Sequence, residues 1–430
     1  MPEPHILLFE LASGGHQGHY LHQLISFWGR HRLQGRLTVA VPERVLDVHP
    51  EVPASITEYG ASGVALLPIT EAAPARPAGP FGLLRKGLQE GRLLKKYIDQ
   101  ARPDHAVAMY FDHVQVALAL DLRFSAPVHL SALYFRPSFH YGDLGPARRT
   151  AKERLLDARK RAVLAGALAN PHLHTLFCLD PFVAPYIRRL QRSARAVTLP
   201  DGIDARVPKT NRDETRRSLG IEPGRKMLLL FGVLDHRKGL PGLLEALAVL
   251  PEESCRNACV VLAGPLDVAL KDAALERIDR LRRTRPLQIL LQDRFIADDE
   301  AQALMQATDL ALLPYDRHIG SSAVLVRAAH AGVPVIGQDY GLMGALIRHY
   351  RLGRTVDTAH PEALADALHG FLSAPDRFSF DPEGARRYAE ANTGEAMAAT
   401  IFRHLGVPGL PVHLAQPISP LILQPENRAA

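Results

Sequence analysis

Cysteine is scarce in this 430-residue chain: Cys178, Cys255 and Cys259 are the only three, and no C-x-x-C pair occurs. An odd count without paired spacing excludes a disulfide framework and fits a reducing compartment. Long apolar runs are missing too. No window reaches the roughly 18 apolar residues that a spanning helix requires. The opening "MPEPHILLFELASGG" has no basic leader, and Glu10 interrupts its apolar run. The expected location is therefore cytoplasmic. There is no H-E-x-x-H, no Cys/His cluster at metal spacing, no G-x-S-x-G elbow and no Gly-Lys-Ser/Thr of a P-loop. No metal site is expected.

What remains is an ordinary soluble composition, 47% hydrophobic and 22% charged, in a chain long enough for two domains. The formal net charge is +6. The excess gathers in "LLRKGLQEGRLLKKYI" (83–98) and "ARRTAKERLLDARKRAVL" (147–164). Each segment reads first as a solvated helix surface laced with Glu90, Glu153 and Asp157. Together they also suit docking on an anionic inner membrane face. Nucleic acid is disfavoured, because no recognition motif accompanies the charge.

Short apolar strands alternate with helix-length sequence throughout, the pattern of parallel sheets with helical crossovers. The first series is 5–11, 36–42, 105–111, 127–135 and 175–180. A Pro/Gly/Ala-rich loop occupies 72–82, and "VTLPDGID" (197–204) breaks the pattern. The second series is 226–234, 258–265, 287–293, 310–315 and 333–338. This predicts an N-terminal doubly wound domain over 1–200 and a C-terminal one over 201–385. A last helix follows over 386–406, packing back toward the first domain, and then a Pro-rich tail over 407–430. Ligands of doubly wound folds lie beyond the carboxyl ends of the strands.

Four strand-end loops could carry chemistry. "SGGHQGHY" brings Gly14 and Gly15 to a helix start, where backbone N–H groups can approach an anion. Such a turn can equally serve only a tight connection. "FGVLDHRKGLPGLLEAL" places Arg237 and Lys238 before a helix opened by Gly239 and Pro241. Two cations at a helix N-terminus make a diphosphate clamp. "GSSAVLVRAAHAG" offers Ser321 and Ser322 as caps of a helix ending at Gly332. Asp112 and His113 follow the strand at 105–111, and Arg136 and His140 the next. A carboxylate–imidazole pair there can handle protons or orient a hydroxyl. With twenty histidines in the chain, a structural role for any one of them weighs against this.

These residues together resemble the retaining glycosyltransferases of GT-B architecture, family-4 type (glycosyl transferases group 1). "LPDGID" resembles the family's interdomain P-N-G-V-D turn, with Asp201 at the Asn position. "FGVLDHRKGLPGLLEAL" resembles its G-R-x-x-x-x-K-G unit, "RFIADDEAQALMQATDLALLPY" its strand beside the nucleoside, and "VRAAHAGVPVIGQDYG" its donor-sugar unit. The resemblance implies an α/β fold with two Rossmann-like domains facing a central cleft. It also implies metal-independent transfer of a sugar, with retention, from a UDP- or GDP-linked donor to a glycan or lipid-linked acceptor. The nucleotide sugar is a substrate, and no cofactor is implied.

Lys238 would then neutralise the leaving diphosphate, with Asp112 and His113 near the reacting sugar. Gly14, Gly15, Arg237, Ser321, Ser322, Arg327 and Gly341 would contact the donor. His16, Arg136 and His140 would lie on the acceptor side. Two departures stand out: the family's glutamates fall on Ile319 and Arg327, and its arginine on Val233. Arg327 cannot accept a hydrogen bond, so ribose recognition must change. The competing reading is a catalytically silent GT-B protein that binds a nucleotide as scaffold or regulatory subunit. A sugar-nucleotide epimerase is weaker, since no proton-handling carboxylates can be placed at the sugar.

Overall fold

The computed structural model describes residues 3–14, 17–72, 74, 81–125, 127–145, 150–190, 195–203 and 210–411. Two compact units emerge. Met1–His140, Arg149–Gly202 and Thr393–Ala430 form the first; Tyr141–Arg148 and Ile203–Asn392 form the second.

The first unit is built on seven parallel strands: β1 (His5–Phe9), β2 (Arg36–Pro42), β3 (Val64–Ile69), β4 (His105–Ala108), β5 (His129–Tyr134), β6 (Leu173–Cys178) and β7 (Arg195–Thr198). Their order is β3-β2-β1-β4-β5-β6-β7. Both faces are covered. Ile6 and Leu8 point into one apolar cluster and Leu7 and Phe9 into another, as the two-residue period of a strand dictates. Covered faces explain the unbroken apolar runs.

The second unit has six parallel strands: β8 (Lys226–Phe231), β9 (Ala258–Ala263), β10 (Gln288–Gln292), β11 (Leu310–Leu313), β12 (Val335–Gln338) and β13 (Gly353–Val356). Their order is β10-β9-β8-β11-β12-β13. Leu228, Leu230, Val260 and Leu262 pack under Leu243, Leu244 and Leu247 of the helix Leu240–Val249.

Three strands, β3, β7 and β13, fall outside the predicted series, and each is a sheet edge. Edge strands are covered less, so "VALLPI", "RAVT" and "GRTV" carry exposed positions; the last two lack an apolar run, and "VALLPI" is apolar but interrupted by Pro68.

The C-terminal helix expected over 386–406 is two helices, Pro382–Ala391 and Gly394–His404. Between them Thr393 takes extended backbone and accepts the Ala396 N–H at 3.1 Å, an N-cap that starts a new helix. Tyr388 of the first packs on Tyr350 of the second unit, with ring centroids 4.9 Å apart. Phe402 of the second packs on Trp28 of the first unit, at 5.4 Å. Of the Pro-rich tail, residues 412–430 lie outside the described residues.

A short loan from the first half completes the second unit. The Tyr141 hydroxyl accepts the Gly320 N–H at 3.0 Å, and Arg348 donates to the Leu144 carbonyl. Among the described residues, no helix is long and apolar enough to cross a membrane. All three cysteines are free and buried.

Candidate functional site

In each sheet the strand order reverses at one point, between β1 and β4 in the first and between β8 and β11 in the second. A crevice opens at such a point because the loops from adjacent strands diverge.

In the second unit, glycines shape the loops there. Gly232 and Gly264 leave β8 and β9 with φ of 110° and 139°. A Cβ on Gly264 would lie 2.0 Å from the Gly232 carbonyl oxygen, so the two exits pass each other only as glycine. Gly239 caps the helix Leu240–Val249 at φ 78°, and a Cβ there would meet the Pro314 carbonyl oxygen at 1.8 Å. This contact seats the Lys238 turn against the exit of β11. The Lys238 N–H adds a bond to Asp235 Oδ1 at 2.7 Å.

Lys238 is consequently buried, at 6% exposure. Its Nζ donates to the Tyr315 hydroxyl at 2.5 Å and sits 4.6 Å from that ring's centroid. Tyr315 in turn bonds Ser322 Oγ at 3.0 Å. The chain Lys238–Tyr315–Ser322 thus bridges the reversal point. Arg237 is half-exposed, 3.6 Å from Asp235, with its guanidinium 5.8 Å from the Tyr315 centroid.

The expected capping by Ser321 and Ser322 is corrected. Ser322 occupies the N-cap of the helix Ala323–His330, yet its side chain makes no capping bond and is spent on Tyr315. Ser321 takes part through its carbonyl, which accepts from His318 Nε2 at 3.2 Å. The first amides of that helix are left without a side-chain cap, the condition under which a helix start favours an anion.

Arg327 is buried, with Nη2 donating to Asp298 Oδ1 at 2.6 Å and Nη1 lacking a partner. Arg327, where the resemblance puts a glutamate, thus holds the carboxylate of Asp298, the first residue of the helix Asp298–Ala307. Gly341 starts the helix Gly341–Tyr350 at φ 61°, and a Cβ there would lie 2.3 Å from the Tyr141 ring. The loops after β8, β9 and β10 also present exposed apolar side chains: Val233, Val268 and Phe295, the last 80% exposed. Tyr315, Asp298 and Phe295 lie within the segment "RFIADDEAQALMQATDLALLPY" that carried the resemblance, but nothing in its spacing singled out these three side chains.

In the first unit, Gly14 is exposed with open space beside it, while Gly15 and His16 lie outside the described residues. Asp112 and His113 sit in the first turn of the helix Phe111–Ala119. Asp112 Oδ2 accepts the Phe135 N–H at 3.1 Å, and burial raises its pKa to about 6. Burial lowers His113 to about 4, helped by Lys86 and Arg136. His113 Nδ1 lies 3.4 Å from Glu90 Oε1. That contact does not make a charged pair, because burial also raises Glu90 to about 7. Arg136 is exposed. His140 is fully buried, its Nε2 3.0 Å from Asp180 Oδ2.

Two acids change character. Glu90 and Asp157 were expected on solvated faces, and both are buried. Glu10, at the exit of β1, is 2% exposed, and burial lifts it to about 7. Among the described residues, no group of three or more His, Cys, Asp or Glu could hold a metal ion.

Residues 211–392 match the family model for glycosyl transferases group 1. The second unit carries a group 1 glycosyl transferase domain. D-inositol 3-phosphate glycosyltransferase of Rhodococcus erythropolis is 28% identical over 254 residues, covering 57% of this chain and 53% of that protein. The chain spans about half the length of such curated relatives. Anabaena HepE, solved in complex with UDP, superposes with a TM-score of 0.65 at 17% identity, covering 94% of this chain and 99% of its own. Sucrose-phosphate synthase of Thermosynechococcus elongatus gives 0.65 at 18%, with 94% and 99% covered. The fold is the GT-B type, two doubly wound Rossmann-like units.

Proposed function

We propose that this chain transfers a sugar from a nucleotide-diphosphate sugar to an acceptor hydroxyl with retained configuration. The observation carrying the reading is the Lys238 ammonium, seated through Tyr315 and Ser322 at the reversal point of the second sheet. In the reaction the bond from the anomeric carbon to the diphosphate oxygen breaks, and the acceptor oxygen bonds that carbon. The acceptor's proton leaves with the diphosphate. Negative charge grows on the departing group, and a preorganised cation with the amides of Ala323–His330 stabilises it as it grows.

We assign the nucleoside to Val233, Val268 and Phe295, apolar groups on one side of the clamp, and the sugar to the Gly341 loop on the other. Asp298, held by Arg327, is a carboxylate able to accept ribose hydroxyls in place of the family's glutamate. HepE's complex with UDP supports a uridine nucleotide. Thermal shift against nucleotides and nucleotide sugars, followed by nucleotide release with any donor found, tests this. Phe295→Ala is expected to weaken nucleotide binding about tenfold, the loss of one stacking contact of about 1.4 kcal/mol. Stabilisation by nucleotide without release, even with acceptor extracts, would favour the silent scaffold.

On the first unit, the helix Ala151–Leu168 exposes Leu155 and Leu156, 73% and 44%, beside Lys152, Arg154 and Arg159. Apolar residues rimmed by cations suit an anionic bilayer surface carrying a lipid-linked acceptor. Flotation should recover the protein with phosphatidylglycerol vesicles and not with neutral ones, and replacing both leucines with serine should reduce recovery severalfold. Equal recovery on both vesicle types would remove the membrane from the proposal.

A further inference from the structure

The connection from β11 to the helix Ala323–His330 is neither strand nor helix. Arg317 stands in it at φ 42° and Gly320 at φ 105°, the first of these in a region where a side chain is strained. Backbone groups of such a segment take their partners from elsewhere in the fold. The Arg237 carbonyl accepts the Asp316 N–H at 3.1 Å, and Thr358 Oγ1 donates to the Tyr315 carbonyl at 2.8 Å. The Tyr141 hydroxyl holds Gly320 as described above.

A further hold comes from Gln338, fully buried at the end of β12, the strand beside β11. Its Oε1 accepts the His318 N–H at 2.9 Å. Its Nε2 donates to the His318 carbonyl at 3.0 Å and to the Tyr340 carbonyl at 3.0 Å. One carboxamide therefore pairs with both backbone groups of His318, as a neighbouring strand would, and ties them to the exit of β12. A carboxamide alone combines an acceptor with two donors in this way; a carboxylate would set its oxygens against two carbonyls.

His318 in turn touches the groups that seat the lysine. Its ring stacks on Tyr315, with centroids 4.9 Å apart and planes 29° from parallel, and its Nε2 reaches the Ser321 carbonyl. Tyr315 and Ser322 are the side chains on which the Lys238 ammonium rests. A cation stabilises growing charge best when it is in place beforehand. We propose that Gln338 is a positioning residue for the Lys238 site: by fixing His318 it fixes the Tyr315–Ser322 pair, and with it the placing of the ammonium. That the site takes a diphosphate rests on the transferase reading above; the hold of Gln338 on the connection does not.

Hydrogen–deuterium exchange and nucleotide titration on the full chain test it together. The variants are Gln338→Glu, nearly isosteric, Gln338→Leu, and Gln338→Asn, which withdraws the amide by one methylene. Circular dichroism melting confirms folding, and any one folded variant suffices. Exchange over residues 315–322 should rise at least about tenfold, while that of β8 stays the same. In titrations with UDP, UMP, GDP and GMP, the advantage of the diphosphate over the matching monophosphate should fall at least about fivefold, with monophosphate affinity unchanged. A general loss of packing would weaken both nucleotides alike and speed exchange in both segments. In a Lys238→Met background the Gln338 substitution should lower the advantage no further, because its effect passes through the ammonium. Unchanged exchange over 315–322, an equal loss for monophosphate and diphosphate, or additivity with Lys238→Met would each overturn the assignment. Faster exchange in a protein that binds no nucleotide would leave the hold of Gln338 standing and remove the transferase reading. Nucleotide binding and release with unchanged exchange would do the opposite.

Discussion

Lys238→Ala is expected to reduce turnover by at least about tenfold with any donor the protein accepts, equivalent to roughly 1.4 kcal/mol of transition-state stabilisation. The ammonium is buried and is held by the Tyr315 hydroxyl and ring, so little reorganisation is needed when charge develops beside it. An interaction that strengthens as the diphosphate departs should appear in kcat more than in KM. Lys238→Met, which keeps most of the volume, should lose as much activity as the alanine variant; that separates charge from packing. Tyr315→Phe retains the ring and removes the link to Ser322, so a smaller loss is expected. A Lys238→Met enzyme with unchanged kcat would contradict the assignment.

Glu90→Gln is expected to stabilise the folded protein at pH 8 by about 2 kcal/mol and to change it little at pH 5. Burial raises the folded pKa of Glu90 from 4.5 to about 7. Between those values the folded state holds a proton that the unfolded chain releases. Stability from this group is therefore full below about pH 4.5 and lost as pH rises through 7. Glu10, raised to about 7, and Asp112, raised to about 6, act with the same sign.

His113 opposes them. Lowered to about 4, it contributes stability above pH 6.5 that disappears as pH falls toward 4. His5, His105 and His174, also lowered by burial, act likewise. The acids' loss and the histidines' gain therefore offset each other between about pH 4 and 6.5, leaving a decline as pH approaches 7 that levels off above it. The variant isolates Glu90 from these neighbours and from Lys86. Melting at pH 5, 6, 7 and 8 gives the comparison. Destabilisation at pH 8 relative to pH 5 would mean that Lys86 outweighs burial at Glu90.

Much of the second unit is legible residue by residue. A strand, a glycine turn and a proline-opened helix follow in order from Lys226 to Val249, because each depends on a few adjacent positions. The place of Lys238 just before that helix could be read for the same reason. Glu10 and Glu90 could not. An acid closing an apolar strand and an acid in a basic helix look like solvent-facing residues until the sheet order brings them together. Ser322 is similar: its position suits a cap, and the path of the connection after β11 brings the Tyr315 hydroxyl, seven residues earlier, to its side chain instead. His140 has local surroundings like those of any strand-end histidine, and Asp180, forty positions later, gives it a buried partner.

The sequence by itself determined two successive βα series, their helix starts and the glycine-bound turns, since periodicity and backbone sterics act over a handful of residues. Only the tertiary structure decided which strand exits are neighbours, which edge strands complete the sheets, where the C-terminal helix divides, and which polar groups lose their water. Those outcomes depend on packing between segments far apart in the chain, and the free energy of burying a carboxyl or an ammonium is set by that packing.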